Sequence, residues 1–326
     1  MTEAVVVAGA TGRVGHRVAE QLLSTGREVR VVGRDARTLA RLAGEGAQVR
    51  VGSFQDQGFF EAALRGATAA FVLTPLDISS PDLNAEQRKN VESVAAAIRE
   101  SDVRHVVLLS SWGAEVPERI GGVIACRWFE RALDQIEDLN AVYLRPVWFM
   151  ENFLWNIGLI KAVGVNGLAI DPDVSFPLIA TPDIAAAAAE YLETLAFSGH
   201  RVRYLNGTRD YTMAEVTRVL GTSIDRPDLK YVRLPDPVMR KGLIGSGGLS
   251  ANAADLAIEI NHAISTRRLR AEPRSALNTT ATTLEEFART TFAPAYHAAP
   301  PATLPARLGG VALRLYLAAS GHLSTR

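Results

Sequence analysis

The sequence predicts an α/β fold: a doubly wound parallel sheet with a smaller C-terminal lobe. Three observations carry that expectation. Short apolar runs alternate with helical patterns through the first half of the chain, the arrangement that builds a parallel sheet with helices on both faces. The first run, AVVVA over Ala4–Ala8, is uninterrupted by polar residues and suits a strand buried on both sides. A glycine-rich turn follows it at once.

That turn reads Gly9-Ala10-Thr11-Gly12-Arg13-Val14-Gly15. Apolar Val14, Val18, Leu22 and Leu23 then mark one face of a helix that stops near Gly26, before a second strand over 29–32. Strand, glycine turn, helix and strand within about 30 residues make the unit that binds a dinucleotide in a Rossmann domain. Gly9 permits the tight turn, Gly12 lets a pyrophosphate approach the backbone, and Gly15 lets the helix pack closely on the sheet. The helix start, with Thr11, Arg13 and Val14 around it, offers free N–H groups and a positive dipole end to the phosphates.

Further strands are expected at 48–51, 69–73, 106–109 and 141–144. Ligands of open α/β sheets lie at the carboxyl ends of the strands. The residues expected along a cofactor are therefore Ser53 or Phe54 at the adenine, Thr74 and Pro75 after the fourth strand, Ser110 after the fifth, and Pro146 after the sixth. The second strand ends in Gly33-Arg34-Asp35. An acid there binds the ribose hydroxyls of NAD, whereas an arginine suits the 2′-phosphate of NADP(H), which a guanidinium holds bidentately. Arg34, with Arg13 nearby, favours NADP(H). The competing reading gives the ribose to Asp35 and leaves Arg34 to solvent.

The bulk composition narrows the partners. Of 326 residues, 48% are hydrophobic, and 35 Lys plus Arg balance 35 Asp plus Glu, so no basic excess points to nucleic acid. With one cysteine, Cys126, an intramolecular disulfide is impossible, in keeping with a cytoplasmic protein. No signal peptide and no integral membrane contact are expected from the N-terminal pattern or from the length of the apolar runs. The six histidines have no ligand spacing, so no metal is expected.

On Gly9 to Gly15, Gly33-Arg34, Ser110-Ser111, Leu144-Arg145-Pro146 with Phe149-Met150-Glu151-Asn152-Phe153, and Thr181-Pro182-Asp183-Ile184-Ala185, the chain resembles the NmrA-like family of atypical short-chain dehydrogenases over roughly residues 4–290. The resemblance implies a Rossmann domain over 1–150 that also receives a strand and helix near 200–221, and a substrate lobe over 151–295 interleaved with it. It implies NADPH-dependent reductases of quinones and natural products, or non-catalytic dinucleotide sensors that regulate a protein partner. Most short-chain dehydrogenases use Tyr-x-x-x-Lys with an upstream serine, the tyrosine serving as acid or base. None of the seven tyrosines here is followed by lysine four residues later, and Cys126-Arg127 stands where many relatives carry a lysine. Cys126 is then a cofactor neighbour that packs its helix, and Arg127 is surface charge or a ribose contact. Ser110 and Ser111 remain as candidates to hydrogen-bond a substrate carbonyl, or as strand-end caps.

Trp112 and the aromatic run with Trp148, Phe149 and Asn152 either line a pocket for a flat substrate or form core beneath the second lobe. Asn152, polar in an apolar run, needs hydrogen-bond partners and is a third catalytic candidate. Thr181-Pro182-Asp183 reads as the cap of an alanine-rich helix over 184–195, and Thr212-x-x-Glu215 and Thr283-x-x-Glu286 as further helix starts. Residues 225–275 read as turns, with glycine-rich 242–248 a lid or linker. The tail, 296–326, contains a short amphipathic helix over 304–319, fit for packing, a homodimer contact or a membrane surface. Three functions stay open: an NADPH-dependent reductase of a small aromatic, quinone-like or natural-product molecule; a sensor; and an isomerase or cyclase on the same scaffold.

Overall fold

The computed structural model describes residues 4–245 and 247–319. The first half runs β1 (Ala4–Ala8), α1 (Arg13–Ser24), β2 (Val29–Gly33), α2 (Ala36–Gly44), β3 (Gln48–Val51), α3 (Gln57–Leu64), β4 (Ala67–Leu73), α4 (Leu83–Arg99), β5 (His105–Leu109), α5 (Ile124–Leu133) and β6 (Asn140–Pro146). The chain then builds β7 (Trp148–Phe149), α6 (Ile157–Val163), β8 (Val165–Leu168) and β9 (Phe176–Ile179), and returns through α7 (Thr181–Thr194) to β10 (His200–Leu205). It ends with β11 (Asp210–Tyr211), α8 (Met213–Ser223), β12 (Lys230–Arg233), α9 (Asp236–Gly245), α10 (Ala251–Ser265), α11 (Leu284–Phe287), α12 (Ala293–Ala298) and α13 (Leu304–Ala319).

The main sheet has seven strands in the order β10-β6-β5-β4-β1-β2-β3, all parallel. The two-residue period of β1 divides its side chains between two layers. Val5 and Val7 join the core under α1 and α7, and Val6 and Ala8 join that under α3, α4 and α5. The doubly wound fold expected from the alternating runs is thus present.

The strand near 200 joins the sheet beside β6 as β10. Its expected companion helix does not. α8 packs on β12 and the C-terminal helices, and the helix on the sheet is α7, whose Ile184, Ala185, Ala188 and Leu192 are buried. Thr181 is not its cap: α7 starts after Ala180, with no side-chain cap of its own. Instead the carboxylate of Glu151, 4% exposed, accepts from the Thr181 N–H at 2.9 and 3.1 Å and from its hydroxyl at 2.6 Å. An acid from 30 residues away does the capping.

The smaller lobe holds the sheet β11-β9-β7 and the pair β12-β8. The expected turns and loop within 225–275 include two helices, α9 and α10. Gly242 and Gly245 lie in α9 despite the roughly 1 kcal/mol cost of helical glycine. Tertiary packing overrides that cost: Met239 and Ile258 are buried in a local core with Val165, Val232 and Leu317. The box at Thr212 and Glu215 forms in both directions, and Thr283 caps α11. α13 docks on α6 so closely that a Cβ on Gly310 would lie 2.3 Å from the Ala162 carbonyl oxygen. No helix among the described residues is long and apolar enough to cross a membrane.

Candidate functional site

At the end of β1, Gly9 has φ +67°, in the left-handed region, and its carbonyl accepts from the Gly12 N–H at 2.9 Å. A Cβ on Gly15 would come within 2.5 Å of that same carbonyl oxygen, so the close approach that requires glycine is helix to turn, not helix to strand. α2, α3, α4, α8, α10 and α11 are capped by Asp35, Asp56, Asp82, Thr212, Ser250 and Thr283. α1 has glycine at this position and no side-chain cap. Thr11, Gly12 and Arg13 are exposed around its start. The first-turn N–H groups are therefore open to an anion, with the dipole's positive end behind them.

Beside this cradle, a Cβ on Gly33 would lie 2.8 Å from the Thr11 methyl, which brings the turn over the end of β2. Arg34 follows, 57% exposed, its guanidinium 3.6 Å from Asp77. Asp35 accepts from the Arg37 N–H at 2.8 Å as the cap of α2, a role that competes with ribose binding. At the end of β3 the structure separates the two adenine candidates. Phe54 is 4% exposed and packs edge-on against Phe60, while Ser53 stays exposed.

The ends of β5 and β6 are built differently. Ser110, buried, donates its hydroxyl to Glu130 Oε1 at 2.6 Å. Glu130 is gripped in turn by Arg145, Nε at 2.9 Å and Nη2 at 2.6 Å, and Arg145 continues to Glu115 and the Tyr204 hydroxyl, each at 3.1 Å. In this arrangement the Ser110 hydroxyl is engaged by a carboxylate and presents its lone pairs to a neighbour. Burial would lower the Arg145 pKa, but the hydrogen bond and charge of Glu130 outweigh it and raise the pKa. Burial also pushes Tyr204 up to about 12, so it stays protonated.

Cys126 is half-buried as a residue, but its thiol sits against Thr74 and Ser110. Burial, then the charge of Glu130, push it up to about 12, which keeps the thiol protonated and a poor nucleophile. Arg127 is half-buried and donates from one guanidinium nitrogen to the carbonyls of Ala114 and Glu115 at 3.2 and 2.8 Å. Ser111 donates to the Trp112 carbonyl at 3.2 Å, and the Pro146 carbonyl accepts from the Trp112 N–H at 3.1 Å. Pro75 is half-buried beside Thr74.

A cavity of about 500 Å³ opens beyond β5, lined by Trp112, Phe176, Leu269, Arg267 and Arg270 among others. Trp148 stands edge-on to Phe176, with ring centroids 6.2 Å apart. Trp112 thus lines the cavity, and Trp148 supports its wall. Phe149 pairs with Ile179 between β7 and β9. Asn152 is half-buried and not among the lining residues; the anchored polar residue of that run is its neighbour Glu151. Sequence reasoning missed Glu130, Glu151 and the 264–274 wall. A lone acid inside Phe-Met-Glu-Asn-Phe was a signal for Glu151. For Glu130 the only signal was its place on the helical stripe between Phe129 and Leu133.

Comparison with known proteins agrees with the fold and with dinucleotide binding. The model of the NAD(P)H-binding family matches residues 9–193. A (4-alkanoyl-5-oxo-2,5-dihydrofuran-3-yl)methyl phosphate reductase of Streptomyces griseus is 31% identical over 241 residues, covering 74% of this chain and 80% of the relative. Quinone oxidoreductase 2 of Escherichia coli is 27% identical over 285 residues, 80% of this chain and 95% of the relative. Among solved structures, NmrA, a negative transcriptional regulator in complex with NADP, shares the fold with a TM-score of 0.68 at 15% identity, over 91% of this chain and 98% of its own. The seven-stranded parallel sheet is thus shared with proteins that bind NADP, and the chain belongs to the NAD(P)H-binding family.

Proposed function

We propose that the protein is an NADPH-dependent reductase of a small aromatic, quinone-like or natural-product substrate. The observation that carries the reading is the start of α1, left without a side-chain cap next to an exposed Arg34 whose neighbour Asp35 is engaged elsewhere. The residues fit a dinucleotide: Gly9 to Gly15 would seat the pyrophosphate, Arg34 the 2′-phosphate and Ser53 the adenine. Thr74, Ser110, Cys126 and Pro146 would floor the nicotinamide end. When bound, NADPH supplies a hydride. Ser110, its proton held by Glu130, would accept a hydrogen bond, and the Trp112 wall would orient a flat acceptor and exclude water. A quinone-like acceptor needs no protein acid at the hydride step, which accommodates the absence of Tyr-x-x-x-Lys. Relatives named as a (4-alkanoyl-5-oxo-2,5-dihydrofuran-3-yl)methyl phosphate reductase and a quinone oxidoreductase support a reductase.

The sensor reading is favoured by one observation, the Ser110–Glu130 bond, which removes the usual hydroxyl donor. One assay separates the two: loss of NADPH absorbance with a panel of quinones and aromatic ketones, with Arg34→Ala alongside. Turnover that weakens in the variant is expected. Tight NADPH binding without turnover across the panel would favour the sensor, and no dinucleotide binding would overturn both.

A further inference from the structure

Part of the cavity wall is formed by the end of α10 and the segment after it, which carry three arginines in the lining, Arg267, Arg270 and Arg274. Two acids line the same space, Asp210 and Glu272. Arg274 is accounted for: it pairs with Asp210 at 2.5 Å and donates to the Gly207 carbonyl. Arg268, next in the chain and outside the lining, fastens the loop below through the carbonyls of Glu118 and Arg119. Arg267 and Arg270 have no side-chain partner among the described residues. They leave two guanidinium groups against the one remaining carboxylate of the lining, Glu272.

The backbone makes Arg267 the more informative of the two. α10 ends with the Arg267 N–H bonded to the Ile264 carbonyl and the Arg268 N–H to that of Ala263, each at 2.9 Å. This is the closing pattern that places one residue in the left-handed region, a position glycine usually fills. Here it is Arg267, at φ +53°. A long cationic side chain thus stands where the backbone favours none, and it borders a cavity lined by Trp112 and Phe176. Strain of this kind gathers at ligand sites.

We propose that Arg267 and Arg270 recognise an anionic group, a phosphate or a carboxylate, on the substrate of this cavity, whose flat apolar part lies against Trp112 and Phe176. This rests on the reductase reading and adds to it the class of substrate. The two guanidinium groups, exposed to solvent, form charge-assisted hydrogen bonds with the anion, while the buried Trp112 and Phe176 meet the apolar part.

The test is calorimetric titration of the full chain saturated with NADP⁺, so that the α1 cradle is already filled, using phenyl phosphate, benzoate and benzyl alcohol. At least one of the two anions is expected to bind tenfold or more tightly than the alcohol, with affinity that falls as salt rises; which one distinguishes a phosphate from a carboxylate preference. Arg267→Gln with Arg270→Gln is expected to abolish the difference. Arg267→Gly is expected to weaken the anion several-fold while raising the melting temperature, a pairing that a purely structural arginine would not give. Equal binding of charged and neutral probes, or anion binding untouched by the double substitution, would overturn the proposal. Failure of NADP⁺ to saturate, read in a separate titration, would count against the reductase reading; the comparison of phenyl phosphate between wild type and double variant would still decide this one.

Discussion

The end of β1 and the ends of β5 and β6 face the same cleft, yet they are made of different material. At β1 the working groups are backbone amides, held by Gly9, Gly12 and Gly15 within seven consecutive residues. At β5 and β6 they are side chains, with Ser110, Glu130, Arg145, Glu115 and Tyr204 drawn from five places in the chain and joined by hydrogen bonds of 2.6 to 3.1 Å. The first region fails if the backbone cannot come close. The second fails if one charge loses its partner.

The largest effect should come from the side-chain region. Arg145 and Glu130 have side chains 11% and 8% exposed, so Glu130→Ala leaves a nearly buried guanidinium short of its main partner. A loss of about 3–5 kcal/mol in urea unfolding is expected, with a much smaller loss when Arg145→Met is added. A single-variant loss below about 1 kcal/mol would mean that the network behaves as a solvated surface pair and that the contrast is overdrawn.

The Cys126 thiol reports on the same region by reactivity. With its pKa at about 12 rather than 9.0, the folded protein should react with a thiol reagent near neutral pH about a thousandfold more slowly than the chain in denaturant. The sign of the pH dependence follows. Below pH 9 the thiol keeps its proton in both states. Between 9 and 12 only the unfolded chain ionises, so stability falls as pH rises, and Cys126→Ala should remove that part of the alkaline decline in melting temperature.

The backbone region is tested by Gly15→Ala. The new methyl would meet the Gly9 carbonyl oxygen at 2.5 Å, so a cost of about 1–3 kcal/mol and a sharp loss of NADPH affinity are expected together. Gly44→Ala, where a Cβ meets nothing within 4 Å, should leave both unchanged or slightly improved. The smallest effect is sought at Arg34. Arg34→Ala should weaken NADPH about tenfold and NADH hardly at all, because an exposed guanidinium contributes mainly through the 2′-phosphate. Equal weakening of both cofactors would return the ribose contact to Asp35 and break the specificity argument.

What could be read from the residues alone was what is local. The β1 run, the glycine turn and α1 are contiguous, and the need for a residue without a side chain at Gly9 and Gly15 is a property of the turn itself. The Thr212–Glu215 box is likewise complete within four residues. The sequence by itself therefore determined the parallel sheet, the dinucleotide cradle and the arginine beside it. Only the tertiary structure decided that Glu151 caps α7, that Glu130 holds the proton of Ser110, that 242–245 is helical, and that Arg267 and Arg270 border the cavity with Trp112. Each of these joins residues far apart in the chain, and no period or spacing records which distant partner a buried carboxylate or an unpaired guanidinium will meet.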